Sequence, residues 1–85
     1  MARITDAALS LRLRKLISSG RARELRTTAG DTLAAAGRIV EVDPAAVLHW
    51  ERGRMPRGRN VRAYYRYLAR LEAAAQGTGD GGEAA

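Results

Sequence analysis

Apolar residues recur at helical spacing along most of the chain. Near the start they fall at i, i+4, i+7 and i+8, the pattern of one buried helix face: Leu9, Leu13, Leu16 and Ile17. Thr5 can cap this helix, which we predict to begin at Asp6 and to be interrupted at Ser18–Gly20. The next helix is predicted from about Arg21 to Ala29, with Gly30 as its stop.

Two further helices are predicted in the middle of the chain. Thr32 can cap the first, whose apolar and small residues share one face: Leu33, Ala36, Gly37 and Val40. Asp43 is a good N-cap for the second, because its carboxylate can accept hydrogen bonds from the N–H groups of the first turn. Val47 and Trp50 lie three apart on the buried face of that helix, and Gly53 ends it.

The last helix is predicted from about Val61 to Ala75, with Asn60 as its cap. Its apolar residues again follow helical spacing: Val61, Tyr64, Tyr65, Leu68 and Leu71. Gln76 to Ala85 is rich in Gly and poor in apolar residues, and we expect it to be disordered. The pattern therefore predicts an all-α domain of about five short helices over residues 1–75, followed by a disordered tail over residues 76–85.

The capped segment from Val42 to Gly53 matches a known motif. It resembles the recognition helix of the Cro and phage-repressor (Xre-like) helix-turn-helix family at these positions: Val42, Asp43, Pro44, Val47, Trp50, Glu51 and Gly53. The resemblance continues upstream at Arg26, Gly30, Thr32, Ala36, Gly37 and Val40. It spans Leu25 to Leu68, about half the chain, and leaves the N-terminal helix as an addition. It implies a lambda-repressor-like fold with a central helix-turn-helix, whose second helix enters the major groove of DNA.

Two positions depart from the family pattern. Glu41 stands at the turn where the family usually has Gly in the left-handed conformation. Because a residue with a Cβ is strained there, we expect a reshaped turn. Leu33 stands where a Gln often holds a phosphate, so that contact is expected to be absent.

The charge of the chain suits a polyanionic partner. The net charge is +6, the sequence pI is about 11.0, and fourteen of the fifteen basic residues are Arg. Arg makes bidentate contacts with phosphate and guanine, although an Arg-rich surface can also reflect the nucleotide composition of a genome. The span from Arg52 to Arg70 holds seven Arg and no acidic residue. Its position directly after the proposed recognition helix favours phosphate contact.

These considerations give a set of candidate DNA-binding residues. The residues expected to meet bases are Ala45, Ala46, Leu48 and His49. The residues expected to meet phosphates are Thr32, Arg38, Arg52, Arg54, Arg57 and Arg59. His49 has a second interpretation as a partly packed surface residue. The resemblance also implies a buried structural ion pair between Arg26 and Glu51, which would position the recognition helix without touching DNA.

The residues needed for other chemistry are missing from the sequence. A single His and no Cys cannot build a metal site or a disulfide, and we expect no metal, cofactor or small-molecule ligand. No nucleophile has a plausible base, so we expect no enzyme activity. No apolar run is long enough to span a membrane, and there is no secretory signal, so a bacterial host cytoplasm or nucleoid is the expected location.

The predicted function is sequence-specific binding of double-stranded DNA by a transcriptional regulator. The resemblance favours a small phage or prophage repressor, either Cro-like or an immunity repressor. The alternative is a helical protein–protein interaction module, or an antitoxin-like regulator, with an incidental basic face. Binding through Arg–phosphate contacts should weaken steeply with salt, whereas an apolar interface should not.

A homodimer, at least on DNA, is expected because one recognition helix contacts only a few base pairs. Two surfaces are candidates for the dimer contact. One is the apolar stripe of the first helix, which has the equally plausible role of packing on its own domain. The other is the last helix, which carries Tyr64, Tyr65, Tyr67, Leu68 and Leu71. Some of these residues must cover Val47 and Trp50, and we expect Tyr67 to point away from the core.

Overall fold

The computed structural model of the chain describes residues 5–84, with side chains to residue 77. It contains five helices and, across that range, no strand. They are α1 (Asp6–Ser18), α2 (Arg21–Thr28), α3 (Leu33–Val40), α4 (Pro44–Glu51) and α5 (Arg59–Ala84). The predicted all-α fold of about five helices is therefore confirmed. Residues 1–4 of the predicted domain lie outside the described residues.

Side-chain caps begin three of the helices where the sequence placed them. The hydroxyl of Thr5 accepts from the N–H of Ala8 at 3.1 Å, and that of Thr32 accepts from Ala35 at 3.0 Å. The carboxylate of Asp43 accepts from the N–H of Ala45 at 2.8 Å. Each cap satisfies an N–H group that has no partner inside its own helix.

The start of α5 differs from the prediction. The helix begins at Arg59, so Asn60 lies inside its first turn and is not the cap. The turn closes instead through backbone bonds from Asn60 to Arg57 and from Val61 to Gly58. The side chain of Asn60 accepts from Arg59 at 3.2 Å, so a neighbouring guanidinium competes for the oxygen that would otherwise cap the helix.

The end of α5 also differs from the prediction. The helix continues to Ala84 and so includes most of the segment over residues 76–85 that we expected to lack regular structure. Three alanines, Ala73 to Ala75, precede that segment and favour continued helix. Extending a formed helix adds one hydrogen bond for each residue fixed, which is easier than starting a new one. The predicted end at Ala75 is therefore wrong, while the separation of residues 76–85 from the domain stays a prediction.

One core joins all five helices. Its largest fully buried side chains are Leu13, Val40, Val47, Tyr64 and Leu68. The rings of Trp50 and Tyr64 lie 4.8 Å apart between centroids, tilted by 44°, which places α4 directly on α5. The apolar stripe of α1 points inward, because Leu9, Leu13 and Ile17 are buried and Leu16 is half-buried. That stripe packs on its own domain and does not form the dimer surface considered above.

The turn between α3 and α4 is tight, and its two special residues explain why. Glu41 adopts the left-handed conformation, with φ 67° and ψ 50°. The N–H of Val42 then reaches back to the carbonyl of Gly37 at 2.8 Å. The turn is therefore not reshaped as we expected, since Glu41 takes the conformation that Gly would supply, at a steric cost of roughly 1–2 kcal/mol.

Gly37 is required by the same turn. A Cβ at this position would lie 2.7 Å from the carbonyl oxygen of Val42 and 3.2 Å from the nitrogen of Pro44. Both atoms belong to the backbone, so neither can move without moving the start of α4. The close crossing of α3 and α4 therefore depends on a residue without a side chain.

We predict that Gly37→Ala destabilises the protein although it raises helix propensity. Overpacking of this kind costs about 1–3 kcal/mol, against a gain of about 1 kcal/mol from replacing Gly in a helix. Gly77→Ala is the matched control, because Gly77 is also helical and has no atom within 4 Å of the added Cβ. Urea unfolding followed by circular dichroism should show a loss for Gly37→Ala and no loss for Gly77→Ala. Equal stability of the two variants would contradict the close approach.

Candidate nucleic-acid interface

Helix α4 is held by its inner face and leaves its outer face open. Val47 and Trp50 are 0% and 5% exposed and pack in the core. Ala45 and His49 are exposed on the opposite side. The helix therefore presents one methyl group and one imidazole with little steric cover.

The four residues expected to meet bases are not equally available. Ala45 and His49 are exposed, whereas Ala46 and Leu48 are half-buried. Ala46 packs against the core cluster, because it shares the inner edge of α4 with Val47 and Trp50. The outer face available to a ligand is therefore narrower than the sequence suggested.

The C-terminal end of α4 is fixed by the ion pair between Arg26 and Glu51. The Nε of Arg26 donates to Oε2 of Glu51 at 2.5 Å, and its Nη2 donates to Oε1 at 3.0 Å. The two side chains are only 11% and 3% exposed. The hydrogen bond to Glu51 raises the pKa of Arg26 above its ordinary value, so the guanidinium stays charged.

The same guanidinium also holds the loop between α2 and α3. The Nη1 of Arg26 donates to the carbonyl oxygen of Asp31 at 2.8 Å. Through this third contact Arg26 connects α2, the start of α3 and the end of α4. The sequence indicated the pair with Glu51, but nothing in its pattern indicated the contact with a backbone carbonyl.

Tyr67 is part of this assembly, so the prediction that it points away from the core is wrong. It is 4% exposed, and its hydroxyl donates to Oδ2 of Asp31 at 2.8 Å. Burial raises the pKa of Tyr67, and the hydrogen bond to Asp31 raises it further. Helical spacing gives the reason, because Tyr67 follows Tyr64 by three residues and precedes Leu68 by one on the buried face of α5.

Tyr64 forms the wall behind Trp50. It is 0% exposed, and its hydroxyl has no hydrogen-bond partner among the described side chains and backbone. Burial raises the pKa of Tyr64, and the nearby negative charge of Glu51 raises it further. The ring of Tyr64 contacts Trp50 on one side and Tyr67 on the other. Because Tyr67 binds Asp31, these aromatic contacts connect α4 to the loop between α2 and α3.

The loop from Arg52 to Gly58 combines anchored and exposed residues. Pro56 is buried and Met55 is half-buried against the core cluster. The arginines around them are all exposed: Arg52, Arg54 and Arg57. The N–H of Arg54 donates to the carbonyl of His49 at 3.1 Å, which ties the loop to the end of α4. The loop is therefore anchored to the domain and exposes three arginines next to the end of α4.

The remaining candidates for phosphate contact lie on α3 and α5. Thr32 and Arg38 are exposed, and the Thr32 hydroxyl oxygen is already used in the α3 cap. Arg59 is exposed but lies 3.3 Å from a carboxylate oxygen of Glu41. Both side chains of that pair are mostly exposed, so the contact is worth little and can give way to a phosphate.

A metal site and a membrane-spanning helix are two further features that the described residues could contain. Among the described residues, no group of three or more His, Cys, Asp or Glu side chains could hold a metal ion. In that range, no helix is long and apolar enough to cross a membrane. Comparison with protein-family models, curated proteins and solved structures finds no match. The resemblance to the Cro and phage-repressor family therefore stays a prediction from the residues quoted above.

We predict that Glu51→Ala destabilises the protein by about 3–5 kcal/mol, because it leaves a buried guanidinium without its counter-charge. Glu41→Ala is the matched control, since it removes the acid of an exposed Arg–Glu pair and should change stability by less than about 1 kcal/mol. Chemical denaturation of both variants measures the difference. Similar small losses in both would show that the Arg26–Glu51 pair does not hold α4 in place.

Proposed function

We propose that this protein binds double-stranded DNA with sequence preference and acts as a transcriptional regulator. The observation that carries the proposal is the form of α4. It is a short helix fixed at its start by the Gly37 crossing and at its end by Arg26, with small and polar residues outward. An ordered loop of exposed arginines follows it directly.

The dimensions of α4 suit the major groove. A helix with its side chains is about 10–12 Å across, close to the groove width of about 12 Å, and α4 has only eight residues to place there. In the proposed complex, Ala45 and the exposed part of Leu48 contact a thymine methyl group. His49 donates to the N7 or O6 of a guanine, and Ala46 lies against the backbone or a base edge.

Phosphate contacts on both sides of the groove would supply most of the affinity. Arg52, Arg54 and Arg57 lie on one side of α4 along the chain, and Thr32 and Arg38 lie on α3 before it. Arg59 can contact a phosphate on the same side as the loop arginines when its exposed pair with Glu41 breaks. Such contacts release counterions, so binding should weaken steeply as salt rises.

The proposed biological role follows from the resemblance given by the sequence. We infer a small phage or prophage repressor of the Cro-like or immunity-repressor type, acting in the bacterial host cytoplasm or nucleoid. It would need no cofactor and would have no enzyme activity.

A homodimer on DNA would double the number of base pairs that one complex contacts. Burial of the α1 stripe and of Tyr67 changes where the two copies could meet. Leu16, Tyr65 and Leu71 stay half-buried among the residues of those surfaces, and the first two lie beside one groove between α1 and α5. The mass of the DNA complex by light scattering measures the number of copies.

The alternative is a helical module that binds a protein partner, including an antitoxin-like regulator. Its main sequence support was the apolar stripe of α1. Because Leu9, Leu13 and Ile17 are buried in the core, that stripe is not available to a partner. DNA binding is therefore the better-supported proposal.

The test is a binding-site selection with the purified protein, followed by affinity measurements on the selected duplex. His49→Ala should lose about 1–3 kcal/mol of preference at one or two base pairs. Replacing Arg54 and Arg57 by Gln should reduce the slope of log K against log salt by about one for each lost contact.

Arg14→Gln is the control for the salt slope, because Arg14 is exposed on α1 and outside the proposed contacts. Selection that enriches no sequence would refute the proposed specificity. An equal effect of all the Arg replacements would show that the loop has no special role and that positive charge anywhere on the surface is sufficient.

A further inference from the structure

A groove between α3 and α5 is bordered by several residues that are not among the proposed DNA contacts, although Arg59 is shared. It encloses about 260 Å³ and is bordered by Ile39, Glu41, Arg59, Arg66 and Arg70. Ile39 is 51% exposed, although most large apolar residues of the described chain are inside. An exposed aliphatic side chain at the edge of a groove lined by arginines is a composition typical of protein interfaces.

Of the three arginines that border the groove, one has an acidic partner among the described residues and two do not. Arg59 lies 3.3 Å from Glu41. Within residues 5–77, Arg66 and Arg70 form no ion pair, and both are exposed. They are four residues apart on one helix, so their positive charges repel until an acidic group approaches.

The floor of the groove is already rigid. Val40 and Tyr67 form it, and both are buried core residues. Tyr67 is also fixed by its hydrogen bond to Asp31. A ligand would therefore meet a preformed surface, with little conformational entropy lost by the protein on binding.

We propose that this groove binds an acidic amphipathic segment of a partner protein. An aliphatic side chain of the partner packs on Ile39, and carboxylates on either side of it pair with Arg66 and Arg70. DNA phosphates fit the groove less well, because Ile39 offers them no polar partner, whereas an aliphatic side chain of a peptide can pack on it. The contact area is small, so we expect weak and transient binding.

The probe for the test is a fluorescent synthetic peptide of about 15 residues, with leucines at helical spacing and glutamates between them. A second peptide carries Gln at each Glu position. The full-length protein should bind the Glu peptide at least about tenfold more tightly than the Gln peptide at low salt. Fluorescence anisotropy measures both affinities.

Variants then locate the binding surface. Arg66→Gln with Arg70→Gln should weaken Glu-peptide binding at least about tenfold, and Ile39→Ser should weaken it as well. Leu11→Ser is the matched control, because Leu11 is 55% exposed on α1, away from the groove. Each variant is also tested for affinity to the selected DNA duplex, which shows whether the same side chains contact DNA.

The outcomes separate this inference from the proposed function. A Glu-dependent peptide complex that is lost in the groove variants but not in Leu11→Ser supports the inference, whatever the protein does with DNA. Absence of Glu-dependent binding, or an equal loss in Leu11→Ser, overturns it. If the Arg variants weaken DNA binding and the peptide does not bind, the groove is a phosphate-contact surface and the inference is wrong.

Discussion

The structure depends most on the largely buried guanidinium of Arg26, whose side chain is 11% exposed. Removing a charged group from water is costly, and this cost is recovered only if opposite charge and hydrogen-bond acceptors meet it with good geometry. Glu51 supplies two acceptor oxygens and Asp31 supplies a carbonyl. Because Glu51 is the last residue of α4, these contacts fix the end of that helix against α2 and the Asp31 loop.

Helix α4, which carries the candidate interface, is fixed at both ends. Its end is fixed by the ion pair of Glu51 with Arg26. Its start is fixed by the crossing at Gly37, where the backbones of α3 and of the turn before α4 approach too closely for any side chain. Between these points, Val47 and Trp50 are buried, and Trp50 packs on Tyr64 of α5. The outer residues of α4 are thus presented on a rigid support. Such preorganisation reduces the entropy lost when a surface binds its ligand.

Local features of the sequence predicted most of this arrangement. The caps at Thr5, Thr32 and Asp43 are recognisable because a single polar side chain next to a helical pattern is sufficient to satisfy an end of the helix. Asn60 was the exception. Its side-chain oxygen accepts a hydrogen bond from Arg59, and backbone hydrogen bonds to Arg57 and Gly58 close the first turn of α5 instead. The inward face of α4 was likewise clear from the spacing of Val47 and Trp50.

The errors came from features that depend on the three-dimensional contacts of a residue. The burial of Tyr67 follows from helical spacing and was missed, whereas its hydrogen bond could not be expected, because its partner Asp31 is distant in the sequence. Half-burial of Ala46 follows from how closely α4 packs on the core, which spacing alone does not determine. At Glu41, the surrounding packing imposed a left-handed conformation that local preference opposes.

We propose that the outer face of α4 and the arginine loop after it form one DNA-binding surface. NMR spectra of the labelled protein, recorded during titration with a selected duplex, can locate that surface. We expect the largest backbone amide shift changes at Ala45, His49 and the loop from Arg52 to Arg59, with smaller changes at the first turn of α3. Changes concentrated on α1 and α2, with the amides of α4 unaffected, would contradict it.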